Sequence, residues 1–193
     1  ALTGHFDKVP SNAILGHPIA GSEQSGVSAA KDDLYQNHRV ILINDPASSP
    51  QTDSVLLAKV SQLWQAVGAE VFEMTVSEHD HVLALTSHLP HLLAYALVAQ
   101  LSNHNENVNV FNFAAGGLRD FTRIASSDPR MWREILLANK TQLSSSIDDF
   151  EQWIAQLRTM LDSNDGDALE MVFSDVKNSR DNFVAELAER TKK

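Results

Sequence analysis

Residues 38–75, "HRVILINDPASSPQTDSVLLAKVSQLWQAVGAEVFEMT", decide the fold. The two ends, "HRVILIN" (38–44) and "AEVFEMT" (69–75), are short apolar runs bounded by turn formers, as buried strands are. Between them Val55, Leu56, Lys59, Val60, Leu63, Trp64 and Val67 keep the three-and-four spacing of an amphipathic helix, which closes at Gly68. This is a strand, helix, strand unit, the building block of a parallel or mixed sheet. A third apolar run, "NAILG" (12–16), adds one more strand.

Beyond Thr75 the strand signals stop. The pattern predicts helices over residues 77–101, 117–124, 129–139, 140–161 and 166–190, so the chain divides into 1–75 and 76–193 and is mainly α with a small α/β part. "SEHD" before an apolar run has the look of a capping box, and "SSDP" puts Pro129 in a first helical turn. "SNDGDALE" separates the last two helices, expected as a long antiparallel pair. Three strands are too few for a doubly wound domain, which has about five or six. The chain therefore reads as the back part of something larger.

Composition narrows the function. With 15 basic against 25 acidic residues and a net charge of -10, a phosphate backbone would be repelled, so nucleic acid is not the expected partner. The absence of cysteine removes disulfides and thiolate metal sites and fits a reducing, cytoplasmic setting. No apolar stretch is expected to reach the roughly 18 to 20 residues of a membrane span, and the first residues lack a signal-peptide pattern.

Two constellations carry chemistry. In "SEHDHVLALTSHLPHLLAYAL" (77–97) four histidines fall on one helix. At about 100° per residue His79, Ser87 and His91 lie near 0°, 80° and 120°, while His88 and His81 lie near 180° and 200°. That arc is not the i, i+4 pair that closes a zinc site, so no metal is expected. Hydrogen-bonded histidines at a helix interface, or donors lining a pocket for an anionic or hydroxylated ligand, both remain open. In "FNFAAGGLRDFTRIASSDPRMW" (111–132) small residues precede a helix whose first turns hold Arg119, Asp120 and Arg123. Asp120 and Arg123, three apart, can face each other and make an oriented carboxylate clamp, or form a solvated surface pair. No G-x-G-x-x-G dinucleotide turn occurs in the 193 residues.

"GHPIAGSEQSG" (16–26), "HDHVLALTSHLPHLLAYAL" (79–97) and "FAAGGLRDFTRIASSDPRMW" (113–132), in that order around the strand, helix, strand unit, together resemble the prephenate/arogenate dehydrogenase family of tyrosine biosynthesis. The resemblance covers nearly the whole chain. It implies the end of a Rossmann-type nucleotide-binding domain in residues 1–75, then an all-helical dimerisation and substrate-binding domain in 76–193. It also implies oxidation of a ring alcohol of prephenate or arogenate with hydride transfer to NAD or NADP and loss of the ring carboxylate.

By the same resemblance His17 is the catalytic histidine, taking the hydroxyl proton as general base. Its place at the carboxyl end of a strand would face the ligand crevice. Ser22 and Glu23 belong to a loop closing over the site, and His79, Ser87 and His91 line the pocket, with His91 toward the substrate side chain. Gly116 lies where a partner subunit approaches, Arg123 holds a substrate carboxylate and Asp120 orients it. His88 is read as structural, and Trp132 as a pocket wall or a core residue. A homodimer through the helical part, tyrosine as a feedback inhibitor and little turnover by this chain alone are expected. The alternative is a non-catalytic dimerisation and tyrosine-sensing module.

Overall fold

A computed structural model describes residues 12–21, 26–27, 30–45, 53–104 and 109–190. The described residues fall into two compact units, Ala1–Ser146 and Ile147–Lys193. In the first, strands β1 (Gly16–Ile19), β2 (Arg39–Ile43) and β3 (Glu70–Met74) form one sheet in the order β1-β2-β3. β2 and β3 are parallel, joined over helix α1 (Ser54–Ala66), whereas β1 runs antiparallel to β2. The sheet is mixed.

β1 lies further along the chain than "NAILG". The Ile43 N–H donates to the Leu15 carbonyl at 2.9 Å, and His17 pairs with Ile41. Antiparallel ladders alternate, so Leu15 and His17 take the hydrogen-bonded positions, and the missing N–H of Pro18 faces away from β2. An edge strand can therefore hold proline at no cost in ladder bonds, and "HPI" pairs where the sequence reading placed a turn. His17 is thus inside β1, not beyond a strand end.

The two-residue period of β2 separates two faces. Val40 and Leu42 are fully buried and, with Leu57, Ala69, Val60, Trp64 and Val71, form the core beneath α1. Tyr35 meets Trp64 edge-on there. His17, Ile41 and Phe72, at paired positions, point to the opposite face. Asp53 caps α1 by accepting from the Val55 and Leu56 N–H groups. At the other end Gly68 sits at φ 85° with the Gln36 backbone 3.2 Å from where a Cβ would stand, so glycine is required twice over.

Helix α2 (Val76–Leu83) starts with Thr75, whose hydroxyl accepts from the Glu78 N–H while the Glu78 carboxylate accepts from the Thr75 N–H at 2.8 Å. This capping box begins two residues before the "SEHD" read from sequence. A single π turn, Ala84–His88, joins α2 to α3 (Leu89–Asn103), and the Leu89 N–H reaches back to the Ala84 carbonyl. Pro90, at the second position of α3, has no N–H to give and its ring crowds the preceding turn, which the wider turn relieves.

The rod Val76–Asn103 is by length and composition alone apolar enough to cross a membrane, contrary to the expectation above. Part of that apolar surface is buried within the unit, at Leu83, Ala84, Leu89 and Ala94. α2 packs on β2 and β3, and α3 packs on α4 (Gly116–Thr122) and on the 3₁₀ turn Arg123–Ser126. α5 (Pro129–Ala138), capped by Asp128, brings Trp132 to α3. α6 (Lys140–Asp162) follows at once.

The second unit holds the rest of α6 and α7 (Gly166–Arg190). Asn164, at φ 56°, ends α6, and the Asp165 carboxylate accepts from the Ala168 N–H to start α7. Val176, Phe183, Val184 and Leu187 keep a helical stripe along α7 and are all exposed.

Candidate active site around a histidine cluster

The face of the sheet opposite α1 meets α2, and there two histidines touch. His17 Nδ1 and His79 Nε2 are 2.9 Å apart, with ring centroids at 5.2 Å and planes tilted by 55°. The other nitrogen of His79, Nδ1, lies 2.8 Å from a carboxylate oxygen of Asp80. The outer part of His17 is exposed to solvent, while the side against His79 is desolvated. That desolvation, and then the neighbouring imidazole, lowers the His17 pKa from its ordinary value of 6.5.

About three turns further along the chain, His91 Nδ1 donates to the Ser87 carbonyl at 2.9 Å, so the Ser87 backbone fixes the ring. The His91 ring lies flat on Trp132, centroids 3.5 Å apart and planes within 20°. Partial burial lowers its pKa, the Ser87 carbonyl acts in the opposite sense, and the positive charge of Arg123 lowers it further. Arg123 is thus close enough to His91 to be felt electrostatically. Neutral His91 carries its lone pair on Nε2.

The π turn changes the arc read from the sequence. One extra residue in the turn takes about 100° off every later position, so His91 comes to within roughly 20° of His79 and His88 to about 80°. His88 is buried and set edge-on to Trp132, and its Nδ1 accepts from the Asn139 side chain at 3.1 Å. The same Asn139 amide donates to the Asp80 backbone carbonyl at 2.7 Å. Structural is a fair description of His88, but its direction was misjudged. Its pKa is lowered chiefly by burial, then by His79, with further effects from Asp80, His17 and His91.

Of the residues singled out by sequence, the structure brings His17 to His79 and His91 to the Ser87 carbonyl, and His91 feels the charge of Arg123. Asp120 pairs with its neighbour Arg119 at 3.2 Å, both well exposed. α4 stops at Thr122 and Arg123 opens a 3₁₀ turn. Gly116 lines an apolar hollow of about 310 Å³ with Val98, Leu101, Phe111 and Arg119, about two turns along α3 from His91. A Cβ on Gly116 would meet only the Arg119 guanidinium, at 4.0 Å. Ser22 and Glu23 lie outside the described residues.

Sequence reasoning missed Asp80 and Asn139. Adjacent helical residues point about 100° apart, so spacing gave no reason to couple Asp80 to His79. The only sequence signal is the "HDH" triplet itself. Asn139, fifty-one residues from His88, left none.

Residues 75–175, more than half of the chain, match the family model described as prephenate dehydrogenase, dimerization domain. The chain belongs to the prephenate dehydrogenase family. Residues 5–73 match that family's nucleotide-binding domain model. A cyclohexadienyl dehydrogenase of Zymomonas mobilis is 37% identical over 90% of this chain and 59% of its own length. A prephenate dehydrogenase of Bacillus subtilis is 42% identical over 87% of this chain and 44% of its own. The chain thus spans about half the length of these relatives.

Among solved structures, prephenate dehydrogenase from A. aeolicus in complex with hydroxyphenyl propionate and NAD+ superimposes with a TM-score of 0.81 at 39% identity, covering 86% of this chain and 57% of that one. Arogenate dehydrogenase from Synechocystis gives a TM-score of 0.78 at 26% identity, over 90% and 62%. The fold reading, a small α/β part followed by a helical part, agrees with both.

Proposed function

We propose that this chain is the carboxyl-terminal portion of a prephenate or arogenate dehydrogenase of tyrosine biosynthesis, with residues 1–75 completing the nucleotide-binding domain and 76–193 forming the helical dimerisation and substrate domain. The reaction oxidises the ring alcohol and expels the ring carboxylate as carbon dioxide, giving 4-hydroxyphenylpyruvate from prephenate or tyrosine from arogenate. NAD or NADP supplies the hydride acceptor when bound to the whole enzyme. This chain has no G-x-G-x-x-G turn to cradle a dinucleotide, so its own residues act on the substrate.

The observation that carries the reading is His17 hydrogen-bonded to His79, its pKa lowered by burial, with His88 close enough to feel both His17 and His91. A neutral imidazole takes the hydroxyl proton as hydride leaves the same carbon, help worth about 10²- to 10⁴-fold. Arg123 clamps a substrate carboxylate, for which a planar guanidinium suits better than an ammonium. His91, held on Trp132, faces the substrate side chain, with Ser87 beside it. Asp120 and Gly116 on α4 belong to the same site, and the resemblance adds Ser22 and Glu23 as substrate-binding residues.

The protein acts as a homodimer in the cytoplasm. Support comes from the exposed stripe on α7, a surface that a helix in a packed core would not leave uncovered. Tyrosine, similar to the product, inhibits by occupying the same pocket. The test joins this chain to an amino-terminal segment carrying the dinucleotide fingerprint and follows NAD(P) reduction with prephenate and with arogenate. Activity is expected, abolished by His17→Asn and reduced by added tyrosine, while the chain alone turns over little. Robust oxidation that survives His17→Asn overturns the assignment of the base.

A further inference from the structure

We infer that Asp80, acting through His79, is a positioning residue that fixes the tautomer of His17 so that Nε2 is the atom that accepts the proton. The inference rests on the proposed role of His17 and adds what makes that role possible. It follows from three atoms in a row. A carboxylate only accepts, so His79 Nδ1, 2.8 Å from Asp80, bears the hydrogen. Neutral His79 then carries its lone pair on Nε2. His17 Nδ1, 2.9 Å from that lone pair, must be the N–H, which leaves the His17 lone pair on Nε2.

The reverse arrangement would disable the site. Were His79 to bear its hydrogen on Nε2, it would donate to His17 Nδ1, and His17 Nε2 would carry a hydrogen and accept nothing. Asp80 decides between these states, and it is itself held: the Asn139 amide donates to its backbone carbonyl at 2.7 Å. Asp80 and His79 reach their places through the capping box at Thr75, which fixes where α2 begins against the sheet.

The chain also accounts for the proton after transfer. When the substrate alcohol is oxidised, its hydroxyl proton passes to His17 Nε2; a nicotinamide bound by the whole enzyme would supply the hydride acceptor. His17 is then a cation with its Nδ1–H on His79, whose far side faces the Asp80 carboxylate. The carboxylate stabilises this charge across the intervening ring and keeps its own position throughout. A similar carboxylate, imidazole arrangement governs tautomer choice in the serine protease triad.

The experiment is ¹⁵N NMR of the histidine side chains in this chain, with Asp80→Asn as the variant. Asparagine has nearly the same shape but can present an N–H to His79 Nδ1, which would reverse every hydrogen bond in the row. Expected are an Nδ1–H tautomer at His17 in the native chain and an Nε2–H tautomer in Asp80→Asn. A native His17 already in the Nε2–H form, or one unchanged in the variant, overturns the inference. His79→Gln is the second variant, expected to leave His17 a mixture of tautomers; a His17 still wholly in the Nδ1–H form also overturns it.

In the dinucleotide-competent enzyme Asp80→Asn is expected to lower kcat by about 10²- to 10⁴-fold with KM changed less than threefold. A kcat within threefold of native counts against it. If His17→Asn leaves the rate intact the function reading fails, whereas loss in His17→Asn with no loss in Asp80→Asn removes only the role of Asp80.

Discussion

The ring of His91 lies on the ring of Trp132, centroids 3.5 Å apart and planes within 20°, which ties the helix bearing the pocket histidines to α5. Trp132 is buried, and its indole N–H has no hydrogen-bond partner among the described residues. Trp132→Ala should therefore cost about 3–5 kcal/mol, the usual range for emptying such a site. Trp132→Phe should cost clearly less, because it keeps a ring under His91 and removes the unsatisfied N–H. Urea unfolding of the two variants compares them directly.

Asn139 gives its amide hydrogens to two acceptors, the part-buried Asp80 carbonyl and the buried His88 Nδ1. Asn139→Ala leaves His88 Nδ1 unpaired and the Asp80 carbonyl with the Ala84 N–H as its remaining donor, and should destabilise the chain by about 1–3 kcal/mol. Asn139→Asp, which removes the donors and adds charge beside the Asp80 carbonyl, should do more harm than alanine. Thermal melts at neutral pH decide the order, and equal melting temperatures for all three proteins would contradict it.

Stability should fall on acidification. His17, His88 and His91 all have pKa values lowered below 6.5 in the fold, chiefly by burial. The unfolded chain takes up protons near 6.5 that the folded chain resists, so the unfolded state binds more protons in this range and stability rises with pH. The stability is whole above about 6.5 and is lost progressively below it. Melting temperatures measured from pH 5 to 7.5 should show this slope, and His88→Gln should flatten it.

The same shift at His17 bears on rate. A base whose pKa lies below 6.5 stays neutral, and competent, into mildly acid solution. The acid limb of the kcat/KM profile of the dinucleotide-competent enzyme should therefore fall below the pH expected of an ordinary histidine. An acid limb at or above 6.5 would mean that some other group titrates.

On α7, Val176 and Phe183 are 60% and 53% exposed, so charge placed there costs this helix little by itself. Val176→Asp together with Phe183→Asp should leave helicity by circular dichroism unchanged while shifting the sedimenting species from dimer to monomer. A double variant that still sediments as a dimer removes this stripe from the interface.

The sequence by itself determined the order of elements, because apolar periodicity and caps are local. The three-and-four spacing from Val55 to Val67, the Asp128–Pro129 start and the break at Asn164 and Gly166 each produce the helix boundary they imply. The candidate residues were likewise legible: His17, His79, His91 and Arg123 stand out by chemistry and by family resemblance. What only the tertiary structure decided is which atoms meet. Pairing of "HPI" with β2 was hidden because proline reads as a strand breaker until its empty N–H is known to face away from the neighbour.

The π turn before Pro90 was invisible to any fixed 100° period, yet it rotates His91 toward His79. The bond from His17 to His79 spans sixty-two residues, and those from Asn139 span fifty-nine and fifty-one. No local pattern encodes contacts between a strand, a helix and a helix end. They exist because packing α2 on the sheet brings those side chains to hydrogen-bonding distance, and at 2.9 Å the placement of one hydrogen separates a base from a bystander.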